Sequence, residues 1–293
     1  MNALIGSILE IDEEVPGGAI LDARTGPSQA SRPRRHGRLG PGDSLRFGWL
    51  LGPFLLLLAW STGSAAGLID SRVLPAPWTT AATAWQLIRE GRLPHDLAVS
   101  ALRVAQGFVW GAAVAIVCAL ASGLSQLGGY LIDGLVQIKR SIPVLALIPL
   151  IILWFGIGET MKVTVIAISV FVPIYIQTHA ALRGIDLKHV ELAETLGLGR
   201  WAFIRQVVLP GALPGVLTGL RFGVLGAWLA LVVVEQLNAT SGIGYMINLA
   251  RTYAQSDVIL VGLVVYALLG LTSDAAVRLL ERRSLAWRRS FSA

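Results

Sequence analysis

Arg103, Arg221 and Glu235 stand inside long apolar runs of this chain. Ionisable groups in such surroundings are costly in hydrocarbon and are expected to face protein or water. Arg103 suits either contact with an anion at an external mouth or anchorage at a membrane interface. Glu235 suits pairing with an arginine of the same or a neighbouring subunit, and Arg221 suits bracing the segment that carries it. These three are the candidate residues of a translocation pathway. Catalytic chemistry has less to work with. His36, His95, His179 and His189 are scattered, with no H-E-x2-H motif and no carboxylate cluster, so the sequence offers no metal site. The lone Cys118 can form no intrachain disulfide and reads as a small core residue. No G-x4-G-K-[ST] phosphate loop is present, since "GIGET" and "GLGR" lack both the lysine and the spacing.

The elements that position these groups are membrane spans. Of 293 residues, 54% are hydrophobic and 14% charged, a balance that fits a polytopic membrane protein better than a soluble domain. The formal charge of +6 is carried by basic residues at the ends of apolar runs, which fits lipid topology and argues against a nucleic-acid partner. Six apolar segments, near 47–68, 104–124, 131–155, 163–182, 216–237 and 258–280, approach the ~20 residues a bilayer core requires. The third is interrupted by Lys139, Arg140, Pro143 and Pro149, and its first half is expected at the cytoplasmic boundary of the membrane, where both cations reach headgroups. The fold expected is therefore all-α and polytopic, with a permease domain over 46–285.

Residues 1–45, with "SRPRRHGR" and several prolines, are expected to be a disordered basic tail, and 286–293 a short polar end. Glu10, Asp12, Glu13 and Glu14 stand where a cleavable signal peptide would carry basic and apolar residues, so the first span is expected to stay as an anchor. With the N-terminus inside, fifteen Lys and Arg fall in the tail, the 183–214 loop and the C-terminal end, against five on the opposite side. That bias places both termini and the loop in the cytoplasm of a bacterial inner membrane. Trp78, Ala81, Trp85 and Ile88 recur at helical spacing and predict a short interfacial helix, with its tryptophans at headgroup level. Small residues recur every fourth position at Gly107, Gly111, Ala115, Ala119 and Gly123, and again at Gly215, Gly219 and Gly223, which marks close helix packing within or between subunits.

The 183–214 loop has a helical pattern of its own. Val190, Ala193 and Leu196 share one face, Glu191 and Glu194 another, and Gly197 and Gly199 break the helix. A second helical stretch, Trp201–Leu209, is expected to close at Pro210 and Pro214. Within the loop, Glu191, Leu192 and Ala193 are followed after three residues by Gly197, after nine more by Val207, and then by Leu209 and Pro210. This resembles the E-A-A, G, I, L-P signature of the inner-membrane permease subunits of bacterial ABC importers, with Leu192 for alanine and Val207 for isoleucine. The resemblance spans roughly residues 70–290. "LPAP" at 74–77, "HDLAVSALRVAQGFVWG" at 95–111, "IPVLALIPLIILWFGIGE" at 142–159, "LPGALPGVLTGLRFG" at 209–223 and "RTYAQSD" at 251–257 are similar to the aliphatic sulfonate, taurine and nitrate branch.

The resemblance implies a type I importer permease fold in which the loop is a coupling helix seated in a cleft of the ATPase subunit. It implies a homodimer working with cassette ATPase subunits and an external substrate-binding protein. ATP is then used by the partner, and no cofactor is bound by this chain. The cargo implied is a small anion such as an aliphatic sulfonate or taurine, with nitrate or a thiamine-precursor pyrimidine as alternatives. Two other classes are open to the residues alone: a self-sufficient secondary transporter or channel, and a membrane-embedded enzyme. The coupling motif speaks against the first, and the lack of an acid, base or metal constellation against the second.

Overall fold

The structure is a computed structural model that describes residues 48–286. The chain divides into two units, 1–51 and 52–293, and of the first only the opening turn of α1 is described. The expected tail 1–45 and all but the first residue of the expected end 286–293 lie outside the described residues.

The regular elements among the described residues are all helices: α1 Gly48–Ala65, α2 Pro77–Arg89, α3 Arg92–Leu124, α4 Gln126–Ser141, α5 Ile148–Phe155 and α6 Glu159–Arg183. Then follow α7 Leu187–Thr195, α8 Arg200–Phe203, α9 Leu209–Asn238, α10 Ile243–Thr252 and α11 Ser256–Ser284. The expected apolar segments 104–124, 163–182, 216–237 and 258–280 all lie inside longer helices, because hydropathy registers only the part of a helix that needs lipid. Four helices among the described residues are long and apolar enough to cross a membrane, or five if the bent pair 126–155 counts as one span. The apolar stretch of α1, Leu51–Ala65, is shorter.

Helix α6 is the axis of the bundle, gripped by α3 on one side and α9 on the other. Both small-residue stripes pack on it within the chain. A β-carbon added at Gly107 would lie 2.5 Å from Ile166 Cγ2, and one at Gly111 2.5 Å from the Ala167 carbonyl. At Gly219 it would meet the Ile174 backbone at 3.0 Å, and Gly215 presses on Ala181. Pro173 inside α6 releases the carbonyl of Ser169 from its helical donor. There the hydroxyl of Ser169 donates to the Gly226 carbonyl at 3.0 Å and ties α6 to α9.

The structure corrects two expectations. The segment 131–155 is no straight span, since α4 and the stretch 144–155 meet at 95°. Pro143 ends α4, and a 3-10 turn over Val144–Leu147 leads into α5 with Pro149 in its first turn, where no amide donor is needed. The Lys139 ammonium donates to the Ile168 carbonyl of α6 at 3.2 Å. Secondly, the helix from Arg200 does not close at Pro210. It runs on to Leu237 as one 38-residue stretch, because a π turn over Ile204–Val208 absorbs the amide that Pro210 cannot give to the Gln206 carbonyl.

Candidate functional site

The sequence-predicted coupling residues fall on a helical hairpin at the end of the bundle where α6 finishes. Asp186 caps α7, its carboxylate accepting from the Lys188 amide at 3.0 Å. The helix stops in a Schellman turn: the Gly197 amide donates to the Glu194 carbonyl and the Leu198 amide to the Ala193 carbonyl, each at 3.0 Å. Gly197 has φ +66°, and a β-carbon there would meet nothing within 4 Å. Its requirement for glycine is thus one of backbone conformation and not of space inside this chain. Ala193 is buried, whereas Glu191, Leu192 and Leu209 are exposed and Val207 and Pro210 half-buried.

Two contacts fasten the hairpin to the spans. The Arg200 guanidinium donates to the Leu124 carbonyl at 3.1 Å, satisfying an acceptor at the end of α3. Val208 packs with Leu182 and Ala212, flanked by Phe203 and Ile185. Outward from that anchor, Leu187, Leu192, Leu196 and Trp201 are 74, 57, 66 and 73% exposed.

At the opposite end of α6 the structure brings together two of the three pathway candidates. Arg103 is 3% exposed and grips Glu159 with a two-pronged bond, Nε to Oε2 and Nη2 to Oε1, each at 2.6 Å. Its Nη1 reaches Glu235 Oε1 and the Ser241 carbonyl, both at 2.7 Å. Glu235, 1% exposed, also accepts from the Ser100 hydroxyl at 2.8 Å, from the Gly244 amide at 2.8 Å and from the Tyr266 hydroxyl at 3.2 Å. The Gly244 amide belongs to the first turn of α10, so a carboxylate there also meets the positive end of that helix. Asp96 accepts from the Gly242 amide at 2.9 Å, and Lys162 donates to Glu159 at 2.8 Å. The third candidate, Arg221, is elsewhere, held by Asp274 of α11 at 2.7 Å.

Glu159, Lys162, Ser100, Asp96 and Tyr266 were not singled out from sequence. Glu159 and Lys162 stand three apart at the start of an apolar segment, a spacing that places both on one helix face and could have flagged them. The glycines of Ser241–Gly244 were a second signal, because a β-carbon at Gly244 would sit 2.5 Å from Glu235 Cβ. Beside the cluster, a cleft of about 650 Å³ opens between α3 and α6, lined by Gln106, Trp110, Glu159, Thr160, Thr164 and Ile168 among others.

A bundle with four helices long and apolar enough to cross a bilayer is that of a polytopic membrane protein. Residues 107–285 match the family of the binding-protein-dependent transport system inner membrane component. The chain is 39% identical over 257 residues to an aliphatic sulfonates transport permease protein, SsuC, of Bacillus subtilis (strain 168), covering 87% of this chain and 93% of that one. Its counterpart in Escherichia coli (strain K12) is 41% identical over 239 residues, covering 82% and 90%. A crystal structure of an amino acid ABC transporter with histidines shares the fold at a TM-score of 0.59 and 18% identity, covering 68% of this chain and 96% of that one. The chain belongs to the binding-protein-dependent inner-membrane component family, the permease subunits of ABC importers.

Proposed function

We propose that this chain forms, as a homodimer, the translocation pathway of an ATP-driven importer for aliphatic sulfonates of the taurine type. The 191–210 hairpin seats in a cleft of a separate cassette ATPase, which binds and hydrolyses the ATP, and this chain binds no cofactor. Both termini and the hairpin lie in the cytoplasm, and an external receptor delivers cargo at the Arg103 end. The observation that carries the reading is the hairpin itself. It holds four large apolar side chains in solvent around a turn that only glycine adopts without strain, with Glu191 and Glu194 beside them. Such a crown fits a protein groove, its apolar side chains filling the socket and its carboxylates meeting basic groups at the rim. Sulfonate as cargo is supported by the two SsuC relatives, which match along most of their length.

The test is Gly197→Arg in the assembled transporter. Sulfonate uptake and receptor-stimulated ATP hydrolysis fall together, while the permease still inserts, because the hairpin lies outside lipid. Uptake lost with ATPase copurification and stimulated hydrolysis at wild-type levels would remove the hairpin from the coupling role.

A further inference from the structure

A groove of about 620 Å³ runs between α9 and α11, and its chemistry changes along its length. The two helices are antiparallel, since Arg221 meets Asp274 toward the hairpin end of the bundle and Glu235 meets Tyr266 toward the far end. Away from the hairpin the groove is apolar, with Phe222, Leu225 and Leu271 exposed along it. Ala267 and Gly270 add little bulk there, and a β-carbon at Gly270 would meet nothing within 4 Å. Toward the hairpin the lining turns polar, through Arg221 and then Glu281.

Arg221 is tied at one end and open at the other. Its Nε donates to Asp274 Oδ1 at 2.7 Å, and the second oxygen of Asp274 pairs with Arg278 at 3.1 Å. Asp274 thereby fixes the guanidinium while its own charge is shared between two arginines, so the trio keeps one positive charge. Among the described residues, Nη1 and Nη2 of Arg221 have no hydrogen-bond partner, and the side chain is 43% exposed where it lines the groove. Glu281 stands seven residues beyond Asp274, roughly 10 Å along α11. Its side chain leans back toward the groove, as helix side chains tilt toward the N-terminus, and it makes no ion pair or side-chain hydrogen bond among the described residues. The depths fit a lipid. Arg221 lies five residues, roughly 8 Å, inside the apolar segment 216–237, from which a guanidinium reaches the headgroup layer, and Glu281 lies one residue past the apolar segment 258–280.

We propose that the α9–α11 groove binds a phospholipid whose head carries a phosphate followed by a primary ammonium, as in phosphatidylethanolamine. The phosphate oxygens accept from Nη1 and Nη2 of Arg221, and the ammonium donates to Glu281. One acyl chain lies against Phe222, Leu225 and Leu271 in the space that Gly270 leaves open. The order of apolar, cationic and anionic lining selects this head. A glycerol head gives Glu281 no cation, and a trimethylammonium head has no N–H to donate. Taurine offers the same pairing of oxyanion and ammonium, but it has no hydrocarbon chain to fill the apolar half of the groove.

The transporter, purified with its ATPase subunits and stripped of lipid in detergent, is titrated with phosphatidylethanolamine, phosphatidylglycerol and phosphatidylcholine of identical acyl chains. Bound lipid is counted by native mass spectrometry. We expect phosphatidylethanolamine to bind about tenfold more tightly than either of the others, the yield of one charge-assisted hydrogen bond. Glu281→Gln removes the preference over phosphatidylglycerol. Gly270→Leu, which fills the groove, weakens phosphatidylethanolamine binding to the level of the other two lipids. Should Gly270→Leu fail to fold, Glu281→Gln carries the test, because it breaks no side-chain contact among the described residues. Equal affinities for the three lipids, or a preference that survives Glu281→Gln, overturns the proposal. Release of the bound lipid by millimolar taurine also overturns it, and assigns the groove to cargo.

Discussion

Arg103 and Glu235 show what a single residue can demand of the chain around it. A buried carboxylate deprived of its cation costs about 3–5 kcal/mol, far more than the pair itself contributes over an apolar replacement. Arg103→Met should therefore lower the thermal unfolding midpoint of the purified permease sharply, by leaving Glu235 without a counter-charge at 1% exposure. Adding Glu235→Leu should restore much of that loss, and Glu159→Gln alone should do little, because the Glu159 side chain is 60% exposed. A double variant no more stable than Arg103→Met would contradict this account. Gly197→Ala belongs to the same scale. With open space around it and φ at +66°, the change costs about 1–2 kcal/mol of hairpin stability through the backbone alone, readable as faster amide exchange in α7. Sequence gave the presence of Arg103 and Glu235 in apolar runs but not their union, since 132 positions separate them and no local pattern encodes that meeting.

Among the elements, the glycines divide by what their missing side chains would touch. Gly111→Ala pushes a methyl into the Ala167 carbonyl at 2.5 Å and forces α3 off α6, so unfolding in detergent should come several degrees earlier. Gly270→Ala in α11 meets nothing within 4 Å and should be neutral or stabilising by about 0.5–1 kcal/mol through helix propensity. Equal effects of the two changes would mean that close packing is not what the stripe secures. Small-residue spacing made this packing readable in the sequence, and the apolar and acidic periodicity of 190–196 followed by Gly197 did the same for α7 and its stop. The bend at Pro143 and the π turn before Pro210 were not readable in the same way. Hydropathy records whether a residue avoids water, and a proline records that a hydrogen bond is missing; neither states whether the chain turns, widens or continues.

For the whole molecule, topology is the quantity to measure. If the hairpin lies in the cytoplasm, as proposed, a membrane-impermeant thiol reagent applied outside intact cells should label Trp85→Cys and spare Arg200→Cys, both placed in a Cys118→Ser background. Labelling of position 200 alone would invert the molecule and put the ATPase contact on the wrong side. The grip on α6 bears on how such a molecule moves. Ile166 fills the notch at Gly107 and Ile174 the notch at Gly219 and Gly223, so α3, α6 and α9 are keyed against sliding past one another. A keyed trio transmits torque as a lever does. The hairpin sits at one end of α6 and the Arg103 cluster at the other, roughly 37 Å apart at ~1.5 Å per residue over its 25 residues. A tilt of about 10° imposed at the hairpin would then arrive at the far end as a swing of roughly 6 Å, undiminished by internal slip.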